Sequence, residues 1–224
     1  MQREEILQSI IEIGVVAIVR VPDAESAIHA MRAVYDGGIR AAEITMTVPG
    51  ALSVLEKLAD QFGDEMVLGA GTVLDAETAR ACMLAGAQFL VAPSLKLATI
   101  EIANRYSRVI FPGALTATEV LTAWEAGADA VKIFPCGAVG GPKYIKALKA
   151  PFPQIKMVAV GGVNLETTPE FLKAGACAVA VGSELVDRAT VAAKRYDVIQ
   201  ARARQYFEVA ATVRRELRAA GVRG

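Results

Sequence analysis

Three ionisable side chains interrupt runs that are otherwise apolar. Arg20 closes Val15-Val16-Ala17-Ile18-Val19, Glu43 lies within Ala41-Ala42-Glu43-Ile44-Thr45-Met46, and Lys132 lies within Ala130-Val131-Lys132-Ile133-Phe134-Pro135. A charge in a buried apolar segment is costly unless it is paired or used. One acid and two bases in such places therefore point to a site. If the lysine run is a strand, alternation puts Ala130, Lys132 and Phe134 on one face and Val131 and Ile133 on the other. An amine turned into an apolar interior has its pKa lowered, and the neutral amine is the form that attacks a ketone. Glu43 is its natural proton shuttle, because forming and dehydrating a carbinolamine and cleaving a carbon–carbon bond each require a proton to move. The competing role for both is structural: a lysine that snorkels to solvent, or a buried ion pair between Lys132 and Glu43 or Arg20.

Small residues mark further candidates. Gly69-Ala70-Gly71-Thr72 lets backbone amides approach a ligand closely, and the Thr72 hydroxyl suits a carboxylate, although a tight turn after a strand has the same look. Gly161-Gly162 and Gly182-Ser183 end two other apolar runs, the second opening a short helical turn. Bare N–H groups in such places suit an anion.

The elements that must position these residues recur along the chain. Apolar runs occur at Val15–Val19, Ala41–Met46, Met66–Ala70, Phe89–Ala92, Val109–Phe111, Ala130–Phe134, Met157–Val160 and Ala176–Val181. They are continuous rather than alternating, as expected of strands buried on both faces and hence parallel. Amphipathic stretches of helical period lie between them, among them Ala24–Tyr35, Ala51–Gln61, Ala76–Ala85, Thr118–Ala126 and Glu166–Ala174. Asp23, Asp75, Thr116 and Asn164 are plausible N-caps, and glycines in Gly37-Gly38, Gly86, Gly127 and Gly175 suit left-handed helix ends. Eight strand–helix units without a linker predict one domain, residues 1–224, folded as a (β/α)8 barrel. An open doubly wound sheet would carry a glycine-rich loop after the first strand, and Val19-Arg20-Val21-Pro22 is not one. A helix over residues 3 to 13 is expected to cover the barrel bottom, and the Arg-rich tail from Val191 to Arg223 to contain the last helix.

On a barrel the candidates fall at the carboxyl ends of the strands, where such sites lie. Loops after the seventh and eighth strands form a recurring phosphate site. Closure brings Arg20, on the first strand, beside them as a counter-charge.

Composition removes several function classes. The chain is 54% hydrophobic and 21% charged, with 24 basic and 24 acidic residues. Zero net charge gives no electrostatic case for nucleic acid or an anionic membrane as partner. Cys82, Cys136 and Cys177 are far apart and His29 is the only histidine, so neither a disulfide framework nor a metal site fits. No apolar run reaches the ~18 residues a membrane span needs. Met1 to Gly14 carries Glu4, Glu5 and Glu12, unlike a secretory signal. The expectation is a cytoplasmic globular protein with reduced thiols. His29 reads as a surface residue, Cys136 as a packing residue, and Lys143, Lys146 and Lys149 as a solvated face or a subunit contact.

With these residues in place, the chain resembles the bacterial 2-keto-3-deoxy-6-phosphogluconate aldolases, which are similar to the 4-hydroxy-2-oxoglutarate and 6-phosphogalactonate aldolases. The likeness runs from about Gly14 to Val186. It is carried by Val16-Ala17-Ile18-Val19-Arg20, Glu43-Ile44-Thr45, Gly69-Ala70-Gly71-Thr72-Val73, Lys132-Ile133-Phe134-Pro135, Gly141-Pro142 with Ile145-Lys146-Ala147-Leu148, Gly161-Gly162-Val163 and Val181-Gly182-Ser183. The resemblance implies a class I aldolase with neither metal nor cofactor, usually a homotrimer, that cleaves its substrate to pyruvate and glyceraldehyde 3-phosphate. Lys132 matches the Schiff-base lysine and Glu43 the general acid/base. Thr72, with Gly71, Pro93, Phe134 and Thr47, falls where the pyruvate portion binds; Gly162 and Ser183, with Arg20, Gly161 and Gly182, fall at the phosphate.

Two departures bear on specificity. Thr47 stands where some members have an arginine that helps hold the carboxylate, which leaves more of the anion binding to Arg20. Ala159-Val160 precedes the double glycine where gluconate-type enzymes often have Pro-Thr. Loss of that hydroxyl resembles the galactonate type and is worth ~1–3 kcal/mol in epimer preference; Thr45, Thr47 and Pro49 resemble the gluconate type. Two other classes compete: a phosphosugar isomerase or epimerase using Glu43 as base, and a non-catalytic oligomeric scaffold.

Overall fold

A computed structural model describes residues 1–221. Helix α1 (Arg3–Ile13) leads into alternating strands and helices: β1 (Val15–Val19), α2 (Ala24–Asp36), β2 (Ala41–Thr45), α3 (Ala51–Phe62), β3 (Val67–Gly71), α4 (Ala76–Leu84), β4 (Phe89–Val91), α5 (Leu97–Arg105) and β5 (Val109–Phe111). After β6 (Gly113–Ala114) come α6 (Ala117–Glu125), β7 (Val131–Ile133), α7 (Pro142–Lys149), β8 (Met157–Val160), α8 (Thr167–Lys173), β9 (Ala178–Val181), α9 (Arg188–Ala192) and α10 (Tyr196–Ala219).

The pairings are all parallel, in the order β5-β4-β3-β2-β1-β9-β8-β7-β6. The two outermost segments, β5 and β6, are consecutive in the chain and separated only by Pro112. They are one strand that pairs with β4 through its first half and with β7 through its second. Nine segments thus make the eight strands of a closed (β/α)8 barrel, with the lysine strand sixth as expected. Pro112 has no N–H to give the ladder, yet its carbonyl accepts the Lys132 N–H at 2.9 Å.

Strand alternation divides the apolar residues into two layers. Val16, Ile18, Val67, Phe89, Phe111, Val158 and Ala180 fill the barrel interior, joined by Ile6, Leu7, Ile10 and Ile11 of α1. That helix plugs the amino-terminal end, as the sequence predicts. Residues one step along, such as Val15, Ile44, Leu68, Ile110, Val131 and Val179, belong to the outer layer under the helices. Arg3 of α1 donates two hydrogen bonds of 2.8 Å to Asp129 and one of 2.6 Å to Asn104. Asp129 also accepts the Ile110 N–H at 2.8 Å, so a polar clamp ties α1 to the bottom of the divided strand.

Local signals explain the helix ends. Asp23 accepts from the Ser26 amide at 2.7 Å and Asp75 from Thr78 at 2.6 Å, while Thr116 and Glu119 form a capping box. Gly38, Gly86, Gly127 and Gly175 all have positive φ just past helix ends. Asn164 departs from its expected role. Its carboxamide oxygen accepts the Glu166 and Thr167 amides at 2.9 and 2.8 Å, but in a turn that precedes α8, whose cap residue is Glu166. Lys149 departs too: its ammonium donates to the carbonyls of Pro153 and Ile155 at 2.8 and 3.0 Å, binding the α7–β8 connection rather than forming a solvated face. His29 is exposed and Cys136 buried, both as expected. Helix α10 falls within the predicted tail, whose end at Arg223 lies outside the described residues. No helix among the described residues is long and apolar enough to cross a membrane.

Candidate active site

A cleft of about 460 Å³ opens at the carboxyl ends of the strands. Lys132, Thr72, Pro93, Phe134 and Arg20 line it, as do Gly161, Gly162, Gly182 and Ser183. Residues far apart in sequence therefore converge on one wall-to-wall cavity.

Lys132 lies on β7 with Gly113 and Val158 as its strand partners, and its side chain points inward, 6% exposed. The ammonium nitrogen is 4.9 Å from the centre of the Phe134 ring. Burial pulls the amine below the ordinary lysine value; the Glu43 carboxylate opposes this and the Arg20 guanidinium reinforces it. Glu43 lies deeper, 2% exposed, between Ile18 of β1 and Gly69 of β3 in register. Burial raises its carboxyl above the ordinary range, against the pull of Lys132 and then Arg20. Among the described residues no ion pair joins Lys132 to Glu43. Both instead line a small cavity of about 10 Å³ with Val16, Phe89 and Val91, a volume close to that of one water probe. A direct buried salt bridge is not what these two residues make. Each is placed where its neutral form is favoured, an arrangement suited to nucleophilic attack and proton transfer.

The end of β3 departs from expectation at one position. Gly71 does not line the cleft, because it lies against Glu43: a Cβ there would come within 2.3 Å of the Glu43 Oε1. It makes room for the carboxylate. Thr72 lines the cleft with φ +59°, a left-handed conformation rare for a β-branched residue. Such strain, of order 1–3 kcal/mol, collects at functional sites.

Thr47 also departs from expectation. A turn in which the Val48 amide donates to the Thr45 carbonyl at 3.0 Å carries it to the exposed rim, outside the cleft lining. There its hydroxyl is 2.8 Å from that of Thr45.

The end of the cleft where the sequence places an anion is built from two turns. Gly161 and Gly162 have φ of +88° and +73°, and the segment after β7 packs directly on them, with the Gly137 amide donating to the Gly161 carbonyl at 3.0 Å. A Cβ on Gly162 would lie 2.8 Å from the Gly137 Cα, so only glycine permits this approach. After β9, the Leu185 and Val186 amides both donate to the Gly182 carbonyl at 2.9 Å. This is a single helical turn; the helix itself, α9, starts only at Arg188, because Asp187 rather than Ser183 supplies its cap. Glu184 and Arg188 also line the cleft and were not singled out from sequence, as does Asn164, which was read only as an N-cap. Glu184 and Arg188 fall in a loop and at a helix start, where neither period nor an apolar context marks a charged residue.

Comparison with known proteins shows the family. The profile of the KDPG and KHG aldolases matches residues 6–202. The chain is 40% identical over 175 residues to the 2-dehydro-3-deoxy-6-phosphogalactonate aldolase of Escherichia coli (strain K12), covering 78% of this chain and 85% of that one. It is 30% identical over 204 residues to the 2-dehydro-3-deoxy-phosphogluconate aldolase of Treponema pallidum, covering 91% and 97%. The structure of the Legionella pneumophila KDPG aldolase, with pyruvate captured as a covalent carbinolamine, superposes with a TM-score of 0.81 at 26% identity, covering 95% of this chain and 98% of that one. On a match that spans nearly the whole barrel, the chain belongs to the KDPG and KHG aldolase family.

Proposed function

We propose that this chain is a class I aldolase that reversibly cleaves 2-dehydro-3-deoxy-6-phosphogluconate to pyruvate and D-glyceraldehyde 3-phosphate, with 4-hydroxy-2-oxoglutarate as a further substrate. The observation that carries this reading is Lys132, a buried amine that lines both the cleft and the small cavity it shares with Glu43. The neutral amine adds to the C2 ketone, and the carbinolamine loses its hydroxyl as water with a proton from Glu43. The resulting iminium takes up the electron pair released when C3–C4 breaks, while Glu43 receives the C4 hydroxyl proton and the aldehyde departs. The enamine is protonated at C3, and hydrolysis of the iminium frees pyruvate and the lysine. Thr72, Pro93 and Phe134 hold the pyruvate portion in this reading, and Arg20, Gly161, Gly162, Gly182 and Ser183 hold the phosphate.

Borohydride reduction in the presence of pyruvate tests it. The expected product is one pyruvyl adduct, found by mass spectrometry on the peptide containing Lys132 and absent in Lys132→Ala, which should also be inactive. A folded protein that gives no adduct would return weight to isomerase chemistry.

The galactonate epimer is a second reading, favoured by the 40% identity to the Escherichia coli enzyme and by Ala159-Val160, which offers no side-chain hydroxyl to the C4 substituent. Comparing kcat/KM for the two epimers decides between them.

The assembly we propose is a homotrimer. Leu74, Leu84, Leu97 and Trp124 are exposed apolar residues suited to subunit contact. Sedimentation velocity should show one species of three chains, and a monomer would overturn this. A cytoplasmic location is supported by three buried thiols left unpaired among the described residues.

A further inference from the structure

We infer that Arg188 is a second phosphate-binding cation of the cleft, acting with Arg20 on phosphorylated substrates; the inference rests on the aldolase reading above. Arg188 is the first residue of α9 and lines the cleft together with Arg20, Gly161, Gly162 and Ser183. Its nearest acidic neighbour in sequence is already engaged. Asp187 accepts the Thr190 amide at 2.9 Å, bonds the Thr190 hydroxyl, and pairs with the Arg202 guanidinium of α10. These bonds anchor the first turn of α9 and leave no demand on Arg188. Among the described residues neither Arg20 nor Arg188 joins an ion pair; Arg40, Arg80, Arg108, Arg204, Arg214 and Arg215 join none either, but only Arg20 and Arg188 line the cleft.

The charge balance of the cleft calls for both. A phosphate monoester carries about −1.5 to −2 at neutral pH. Arg20 alone would leave much of that charge uncompensated, and Glu184 on the same wall adds a negative charge. Two guanidiniums against one carboxylate leave one net positive charge, before the backbone amides of the glycine turns are counted. A guanidinium also offers paired donors in a plane that matches two phosphate oxygens, which an exposed amide cannot. Arg188 is exposed at the mouth, so it adds this without the cost of burying a charge.

The test compares Arg188→Ala and Arg188→Lys with the wild type in the synthetic direction. Pyruvate is paired with either D-glyceraldehyde 3-phosphate or unphosphorylated D-glyceraldehyde. Loss of a charge-assisted contact predicts that Arg188→Ala lowers kcat/KM for the phosphorylated aldehyde by about tenfold to a hundredfold, mainly through KM. The rate with D-glyceraldehyde should stay within about twofold. Arg188→Lys should recover part of the loss, and inhibition by inorganic phosphate should weaken in step. Equal losses with both aldehydes, or no loss with either, would overturn the assignment. The pyruvate adduct should form equally in wild type and variants. Its absence from wild type would remove the aldolase reading instead, and calorimetric binding of inorganic phosphate to wild type and Arg188→Ala would still decide whether Arg188 binds the anion.

Discussion

Glu43 and Lys132 are each penalised for carrying charge, and the penalty has a sign that can be measured. Glu43 is raised by burial, so it holds its proton more tightly folded than unfolded. Its contribution to stability is complete below the ordinary value of 4.5 and is lost as pH rises above it. Lys132 is lowered, so its contribution is complete above 10.5 and is lost as pH falls. Near neutrality the folded protein bears both costs. Glu43→Gln should therefore melt at or above the wild-type temperature at pH 7, with the advantage vanishing near pH 4; paired thermal scans at the two pH values check this. The same variant should lose about 10²–10⁴ in kcat while still forming some pyruvate adduct, because it lacks only the proton shuttle. A melting temperature several degrees below wild type at pH 7 would mean that the two residues act as a stabilising pair. These roles were legible because a charge in an apolar strand is conspicuous, and period two assigns its face. Gly71 was not legible in the same way: its purpose is to leave space for Glu43, a residue 28 positions earlier, and no local pattern records that.

At the scale of elements, the loops after the strands decide what the cleft contains. Asp187 shows how one carboxylate organises them, since it caps α9 and binds α10 through Arg202. Those bonds hold its carboxyl well below the usual range, the Thr190 hydroxyl first and Arg202 next. The stability it provides is therefore present above its ordinary value of 3.8 and lost as pH falls below it. Asp187→Ala should cost about 1–2 kcal/mol of stability from the lost cap. It should also raise KM for the phosphorylated substrate, because Arg188 is the next residue. Thermal unfolding and steady-state kinetics on one preparation test both, and a stability loss with unchanged KM would separate α9 from phosphate binding. The strands and the N-caps Asp23, Asp75 and Thr116 could be read from sequence because period and cap chemistry are local. Arg188 and the true position of Thr47 could not, since both depend on how a short loop turns after its strand ends.

The whole molecule is held at two ends for different purposes. Its carboxyl end carries the cleft, while the amino end is sealed by α1 and the Arg3–Asp129 clamp. Asp129→Ala would orphan the Ile110 amide and leave the Arg3 guanidinium with only its bond to Asn104. It should cost about 2–4 kcal/mol while changing kcat by less than about twofold. Denaturant unfolding alongside kinetics checks the pairing, and a large fall in kcat would mean that the bottom of the barrel is coupled to the chemistry.

The divided strand gives this clamp a wider meaning. Pro112 divides one strand into β5 and β6, and hydrogen bonds close the barrel on both flanks of the division: the Gly113 amide donates to the Ser94 carbonyl at 3.3 Å and the Asp129 amide to the Ile110 carbonyl at 3.3 Å. An exposed border of a sheet is a template on which another chain can add and aggregate. Here no such border is left, because the divided strand is bonded on both flanks. Asp129, two positions before β7, fastens the same place from below, its carboxylate accepting the Ile110 amide and its own amide donating to the Ile110 carbonyl. Protection from self-association in this barrel thus rests on one strand that bonds both of its neighbours across a proline, which removes a single N–H donor from the ladder.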